Sequence, residues 1–136
     1  MMTFLTVVLV AFVALQLVIR LAPSQPENWV ISETGQAPGD YPSEGGFRVV
    51  RSVEDASAFT RKFEQAILAE PRTRKLGQVQ GQDIYISRTA LWGFPDYTTL
   101  AIQDGRAEIY ARLRFGKSDM GVNRARLERV LRRIDA

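Results

Sequence analysis

The sequence predicts an α+β fold in the order β-α-β-β-β-β-α. A five-stranded, mainly antiparallel sheet carries two helices on one face, and a transmembrane helix precedes the whole. Three observations predict it. The first nineteen residues contain no charged side chain. Two later stretches repeat apolar residues at helical spacing, and the runs around them alternate apolar and polar residues between turn signals.

In Met1–Ile19, Gln16 is the one strongly polar interruption. At 1.5 Å per residue such a helix is about 28 Å long, enough to cross a hydrocarbon core. A cleaved signal peptide is the alternative. Against it, no Lys or Arg precedes the apolar run, and Arg20 and Leu21 stand where a small-residue cleavage site would fall. Residues 1–21 are therefore read as a retained anchor. Only Arg20 flanks the span, so the distribution of positive charge leaves its orientation open.

Residues 22–45 read as a linker. Pro23, Pro26, Pro38 and Pro42 stand among Gly35, Gly39 and Gly45, a density that interrupts regular structure. Trp29 either rests at the lipid interface or tucks against the domain.

Residues 46–136 form the domain, about 90 residues, enough for one core. Phe47–Arg51 reads as a strand. Ser52 and Asp55 have the spacing of a capping box, and Val53, Ala56, Phe59, Phe63, Ala66 and Ile67 mark one face of a helix that Pro71 stops. Arg72–Val79 and Gln82–Arg88 follow as strands around Gln80-Gly81, with Ile84 and Ile86 expected to face the helices. After the Trp92–Asp96 loop, Tyr97–Gln103 and Arg106–Phe115 are joined by Asp104-Gly105, a type I′ hairpin signal. The last helix starts near Ser118 or Asp119, either of which can cap it, and Leu127, Val130, Leu131 and Ile134 make its apolar stripe. This is the element order of the TATA-binding-protein-like fold, an analogy of fold alone.

Composition narrows the chemistry. There is no cysteine and no histidine. That excludes disulfides, thiolate catalysis and every serine-histidine arrangement, and it removes the usual zinc ligands. Net charge is +3, yet residues 106–136 hold nine Lys/Arg against four Asp/Glu. The basic end suits an anionic partner or a solvated helix face. No cofactor and no metal are expected.

Two surfaces are candidate sites. If Ile84, Ile86, Leu100, Ile102, Ile109, Ala111 and Leu113 face the helices, the opposite face carries Tyr85, Ser87, Tyr97, Thr99, Tyr110, Arg112 and Arg114, with Asp83 and Glu108. Tyrosines among arginines can stack on a flat group and pair an anion; they equally suit an ordinary solvated sheet. The second surface is the turn before the last helix, where Lys117, Ser118, Asp119, Asn123 and Arg124 surround free amides that favour an anion. The same residues also serve as caps and turn formers. A hydrolase would draw on Asp96, Asp119, Lys117 or Ser118, without a spacing that assigns roles.

The run Phe115-Gly116-Lys117-Ser118-Asp119-Met120-Gly121-Val122-Asn123-Arg124-Ala125-Arg126 resembles the C-terminal signature of DUF1499, a bacterial and plastid domain family of unknown function. The family pattern is roughly Arg-x-Gly-x-x-Asp-(Leu/Met)-Gly-x-Asn-Arg-x-Arg. Arg114, Gly116, Asp119, Gly121, Asn123, Arg124 and Arg126 match it, and Gly93-Phe94-Pro95-Asp96 resembles the family's central loop. The similarity covers about residues 46–135. Many members carry a cysteine-containing segment upstream that this chain lacks, so a function tied to that segment is not carried over. The resemblance implies a membrane-associated or exported setting.

The expectation is thus a single-pass protein of the cell inner membrane, its domain periplasmic rather than cytoplasmic. It would bind an anionic ligand or a protein partner without catalysis. An assembly subunit docking through the basic last helix is the alternative. Nucleic acid is disfavoured by the anchor and the small net charge.

Overall fold

The computed structural model describes residues 2–136. Helix α1 spans Met2–Leu21, and a short 3-10 turn covers Pro26–Trp29. Strands β1 (Gly39–Ser43) and β2 (Gly46–Ser52) lead into α2 (Ala56–Leu68). Strands β3 (Thr73–Val79), β4 (Gln82–Arg88), β5 (Pro95–Gln103) and β6 (Arg106–Leu113) follow, and α3 (Val122–Asp135) closes the chain. One antiparallel sheet has the order β1-β2-β6-β5-β4-β3. The crossover through α2 carries the chain from β2 to the far edge, and a four-strand meander returns to pair β6 with β2.

The sheet has six strands where five were expected. The added strand, β1, lies in the Pro-rich stretch read as linker. It pairs β2 as an edge strand, Pro42 opposite Phe47, and an edge tolerates a residue that cannot donate to the ladder.

Both domain helices pack on one face. Phe63 and Ile67 of α2 and Leu127 and Val130 of α3 meet Phe47, Val49, Tyr85, Leu100 and Ile109. The rings of Phe63 and Tyr85 meet edge-on at 5.7 Å. Tyr85 therefore points to the helices, and the expected phase of β4 is reversed. Tyr85 sits opposite Thr98, whereas Ile84 and Ile86 pair with Thr99 and Tyr97 on the other face. A shift of one residue moves every side chain of a strand across the sheet. Here the apolar signal was ambiguous because Ile84, Tyr85 and Ile86 are all buried.

The helix starts also differ by a few residues. Asp55 is the cap of α2, its carboxylate accepting the Ala58 amide at 3.0 Å. Gly121, in the left-handed region at φ 79°, is the cap position of α3. Just past the end of α2, buried Glu70 receives Arg129 at 2.7 Å and also Arg133, which ties the end of α2 to α3. Burial alone would raise the Glu70 pKa, but the hydrogen bonds and charges of the two arginines bring it below the usual carboxylate value.

Candidate functional site at the anchor end of the sheet

The sheet face away from the helices is not open. Residues 22–36 lie across it as a strap. The Trp29 ring stacks on Tyr97 with centroids 3.8 Å apart and planes 11° from parallel. The Tyr97 hydroxyl lies 2.6 Å from Ser24 Oγ. Gln82 receives the Ile31 amide at 2.8 Å and donates to its carbonyl at 3.0 Å, so a side-chain amide stands in for a strand partner. Glu108, buried, accepts the amides of Gly35 and Gln36 and pairs with Arg48 at 3.0 Å.

The strap occupies much of the expected binding surface. Arg112 donates to Thr99 Oγ1 at 2.8 Å and to the carbonyls of Tyr110 and Trp29, and its guanidinium lies 4.6 Å from the Tyr110 ring centre. Burial is the main reason its pKa falls to about 10. Arg114 donates to the Pro23 carbonyl at 2.9 Å and the Tyr97 hydroxyl at 3.1 Å. Tyr97, Tyr110, Arg112 and Arg114 share this face, but the two arginines hold the chain's own backbone carbonyls and the Tyr97 hydroxyl meets Ser24 and Arg114. Tyr85 and Ser87 lie on the other face.

The turn before α3 is largely self-satisfied. Ser118 Oγ accepts the Met120 amide at 3.2 Å. Asp119 accepts the amides of Gly121 and Asn123, each at 3.0 Å, and so caps the helix across the glycine. Asn123 is fully buried, and its carbonyl oxygen receives Arg126, which also reaches Asp96 at 3.3 Å. Burial raises the Asp96 pKa, with Arg126 opposing the rise. Arg124 pairs with Glu128 at 2.9 Å and lies over the Phe47 ring at 5.0 Å. Asp96, Ser118 and Asp119 line one cleft of about 200 Å³, whose other walls include Phe94, Phe115 and Met120. All three have partners within the chain. Among the described residues, Lys117 forms no ion pair, and no cluster of His, Cys, Asp or Glu could hold a metal ion.

The end of β4, the starts of β3 and β5 and the end of β6 share one end of the sheet. Helix α1 joins the domain there. Arg88 donates to the carbonyls of Ile19 at 3.3 Å and Arg20 at 3.4 Å, satisfying the free C-terminal end of α1, and to Gly93 at 2.9 Å. Arg20 in turn donates to the Leu91 carbonyl at 3.3 Å. The Trp92 ring meets Phe12 of α1 edge-on at 5.6 Å. Gly93 has φ 70°, and a Cβ there would fall 2.8 Å from the Arg20 guanidinium carbon. The loop is closed by Thr89, whose hydroxyl accepts the Phe94 amide at 3.0 Å and whose backbone bonds that of Phe94.

Sequence reasoning missed Arg20, Arg74, Arg88, Leu91 and Trp92 as site residues. The one available signal was an apolar run, Leu91-Trp92-Gly93-Phe94, in a loop that turn chemistry alone would make polar. The Arg88 pKa is lowered, first by burial and then by Arg74, Arg20 and Arg114, with Tyr97 opposing. Arg88 bonds the Arg20 carbonyl, lines one hollow with Arg74 and lies opposite Pro95, whose carbonyl accepts the Arg114 amide; none of the four arginines forms an ion pair among the described residues.

Fold and site together define a single-sheet α+β domain, strapped on one face and joined at one end to an apolar helix. The segment Thr3–Leu21, with a mean hydropathy of 2.5, is long and apolar enough to cross a membrane. The chain belongs to DUF1499, a family described as a protein of unknown function, whose model matches residues 22–134. The match begins at the strap, earlier than the residue 46 at which the resemblance was placed. Among the curated proteins compared, none matches the chain.

Proposed function

We propose that the chain is a single-pass protein of the cell envelope. Helix α1 is held in the inner membrane, the domain stands on the periplasmic side, and the domain binds an anionic partner without catalysing a reaction. The observation that carries this reading is the group of cations without a carboxylate partner where α1 meets the sheet, Arg20, Arg74, Arg88 and Arg114, with exposed Lys117 on the turn after β6. Arg48, Arg126 and Arg129, by contrast, have carboxylate partners. Binding is favoured over hydrolysis because Asp96, Ser118 and Asp119 are engaged in pairing and capping. Assembly through α3 has less behind it, since Arg124, Arg129 and Arg133 are spent on Glu128 and Glu70.

Two measurements test the proposal. The full chain should remain with membranes in alkaline carbonate, and a phosphatase fused after Ala136 should be active; release from the membrane or a silent fusion would overturn the anchor or the side. In neutral detergent the chain should be retained on phosphocellulose and elute at lower salt once Arg74→Gln and Lys117→Gln are combined. Unchanged elution would remove these cations as the anion site.

A further inference from the structure

We infer that the two loops at the anchor end, residues 89–94 and 115–122, insert into the bilayer beside α1, and that the anionic partner of the surrounding cations is the phosphate layer of the membrane itself. The inference rests on the proposed anchoring and goes beyond it, because it makes the domain a second membrane-binding element rather than a body held off by a tether.

Where the exposed apolar side chains fall is the first argument. Outside α1, the large hydrophobic residues exposed among the described residues are Leu68, Leu91, Trp92, Phe115, Met120 and Val122. All but Leu68 lie on these two loops. Leu91 is 72% exposed and Met120 91%. Apolar side chains scattered singly need no explanation, but a group of them at one end marks an interaction surface. The two loops adjoin, since Phe94, Phe115, Met120 and Val122 line a common cleft.

Depth is the second argument. Trp92 touches Phe12, which lies about 13 Å along the helix axis before Leu21 at 1.5 Å per residue. If α1 crosses a hydrocarbon core of about 30 Å, a side chain in contact with Phe12 is already below the headgroups. The loop 89–94 cannot keep that contact and stay in water.

The third argument is charge. The cations border the same loops: Arg20 bonds Leu91, Arg88 bonds Gly93, and Lys117 lies between Phe115 and Met120 in sequence. Apolar tips ringed by Arg and Lys are what an anionic lipid surface selects, with the tips in the acyl region and the guanidinium groups at the phosphates.

The chain has no cysteine, so single labels can be placed cleanly. Leu91→Cys, Met120→Cys and Ser57→Cys, the last at the opposite end of the domain, are each made in the full chain. Each carries an environment-sensitive fluorophore and is reconstituted into phosphatidylcholine vesicles with or without phosphatidylglycerol. Labels at 91 and 120 should be quenched by nitroxide-bearing lipid, and the label at 57 should not. Phosphatidylglycerol should strengthen quenching at 120, and each of Arg74→Gln and Lys117→Gln should lower the phosphatidylglycerol-dependent association about fivefold, the factor that corresponds to about 1 kcal/mol per cation near an anionic surface. Labels that stay in water while the chain remains in the vesicle would overturn insertion and leave the anchor standing. A chain that fails to enter vesicles would overturn both. Labels shielded from water yet unreached by lipid nitroxide would assign the patch to a second copy of the chain and overturn the inference. Quenching indifferent to phosphatidylglycerol would remove the phosphate layer as the partner.

Discussion

Arg126 of α3 reaches Asp96, the second residue of β5, at 3.3 Å, and both side chains are buried. The pair joins the two stretches that carry the family resemblance, the Gly93–Asp96 loop and the Asp119–Arg126 signature. Asn123 completes the link by accepting from the same guanidinium. Much of the signature is thus explained as the device that docks the start of α3 against the sheet. Removing one partner of a buried pair leaves the other charge without compensation, at a cost of about 3–5 kcal/mol. Arg126→Ala should lose stability on that scale in urea denaturation. Asp96→Asn should lose less, because the amide oxygen of Asn can still accept from the Arg126 guanidinium. Equal and small losses would mean that the pair does not fix α3.

The strap should behave as part of the folded domain. Trp29→Ala removes the stack on Tyr97 while leaving the Trp29 carbonyl in place for Arg112 and Thr99. Loss of half-buried aromatic area and of the ring pair should cost about 2 kcal/mol. It should also raise amide exchange at Ile31 and Gly35, whose amides bond Gln82 and Glu108. Faster exchange at residues 22–36 without any change in stability would return the strap to the role of a loose linker.

The sheet's meander was legible in sequence, and its two coverings explain the rest. Strand β6 alternates cleanly, and Asp104 and Gly105 both take positive φ, at 53° and 72°, as their hairpin signal requires. Strand β5 is buried at nearly every position and β4 through its middle, because helices cover one face and the strap the other. A strand covered on both sides loses the alternation that sets its phase. The strap itself was unreadable for a different reason. Its order comes from carbonyls and amides held by distant Arg112, Arg114, Gln82 and Glu108, and nothing in a Pro- and Gly-rich run announces those partners. The anchor-end cluster was hidden likewise, since Arg20 and Arg88 are 68 positions apart and meet only through the fold.

Glu70 makes stability depend on acid pH. Its folded pKa is lowered from 4.5, since Arg129 and Arg133 outweigh the effect of burial. A carboxylate depressed in the fold contributes in full above its unfolded pKa and loses that contribution as pH falls through the folded value. The stability difference between the native chain and Glu70→Gln should be constant at neutral pH. It should shrink below about pH 4.5. Urea denaturation of both at a series of pH values measures this, and a difference that grows in acid would contradict the arrangement.

Gly93 is where the loop and the anchor helix come closest. Its φ of 70° already disfavours a side chain, and a Cβ would meet the end of Arg20 at 2.8 Å. Gly93→Ala should cost about 1 kcal/mol of backbone strain. Because the obstacle is the tip of a flexible side chain, the domain should still fold, with Arg20 displaced from the Leu91 carbonyl that it bonds at 3.3 Å. The two effects separate in a double-mutant cycle. Arg20→Ala removes the obstacle and that bond together, so Gly93→Ala should be less harmful in its presence than alone. Strictly additive losses would mean that Arg20 does not rest against the loop, and the seating of α1 on the domain would then depend on Arg88 and the Phe12–Trp92 contact alone.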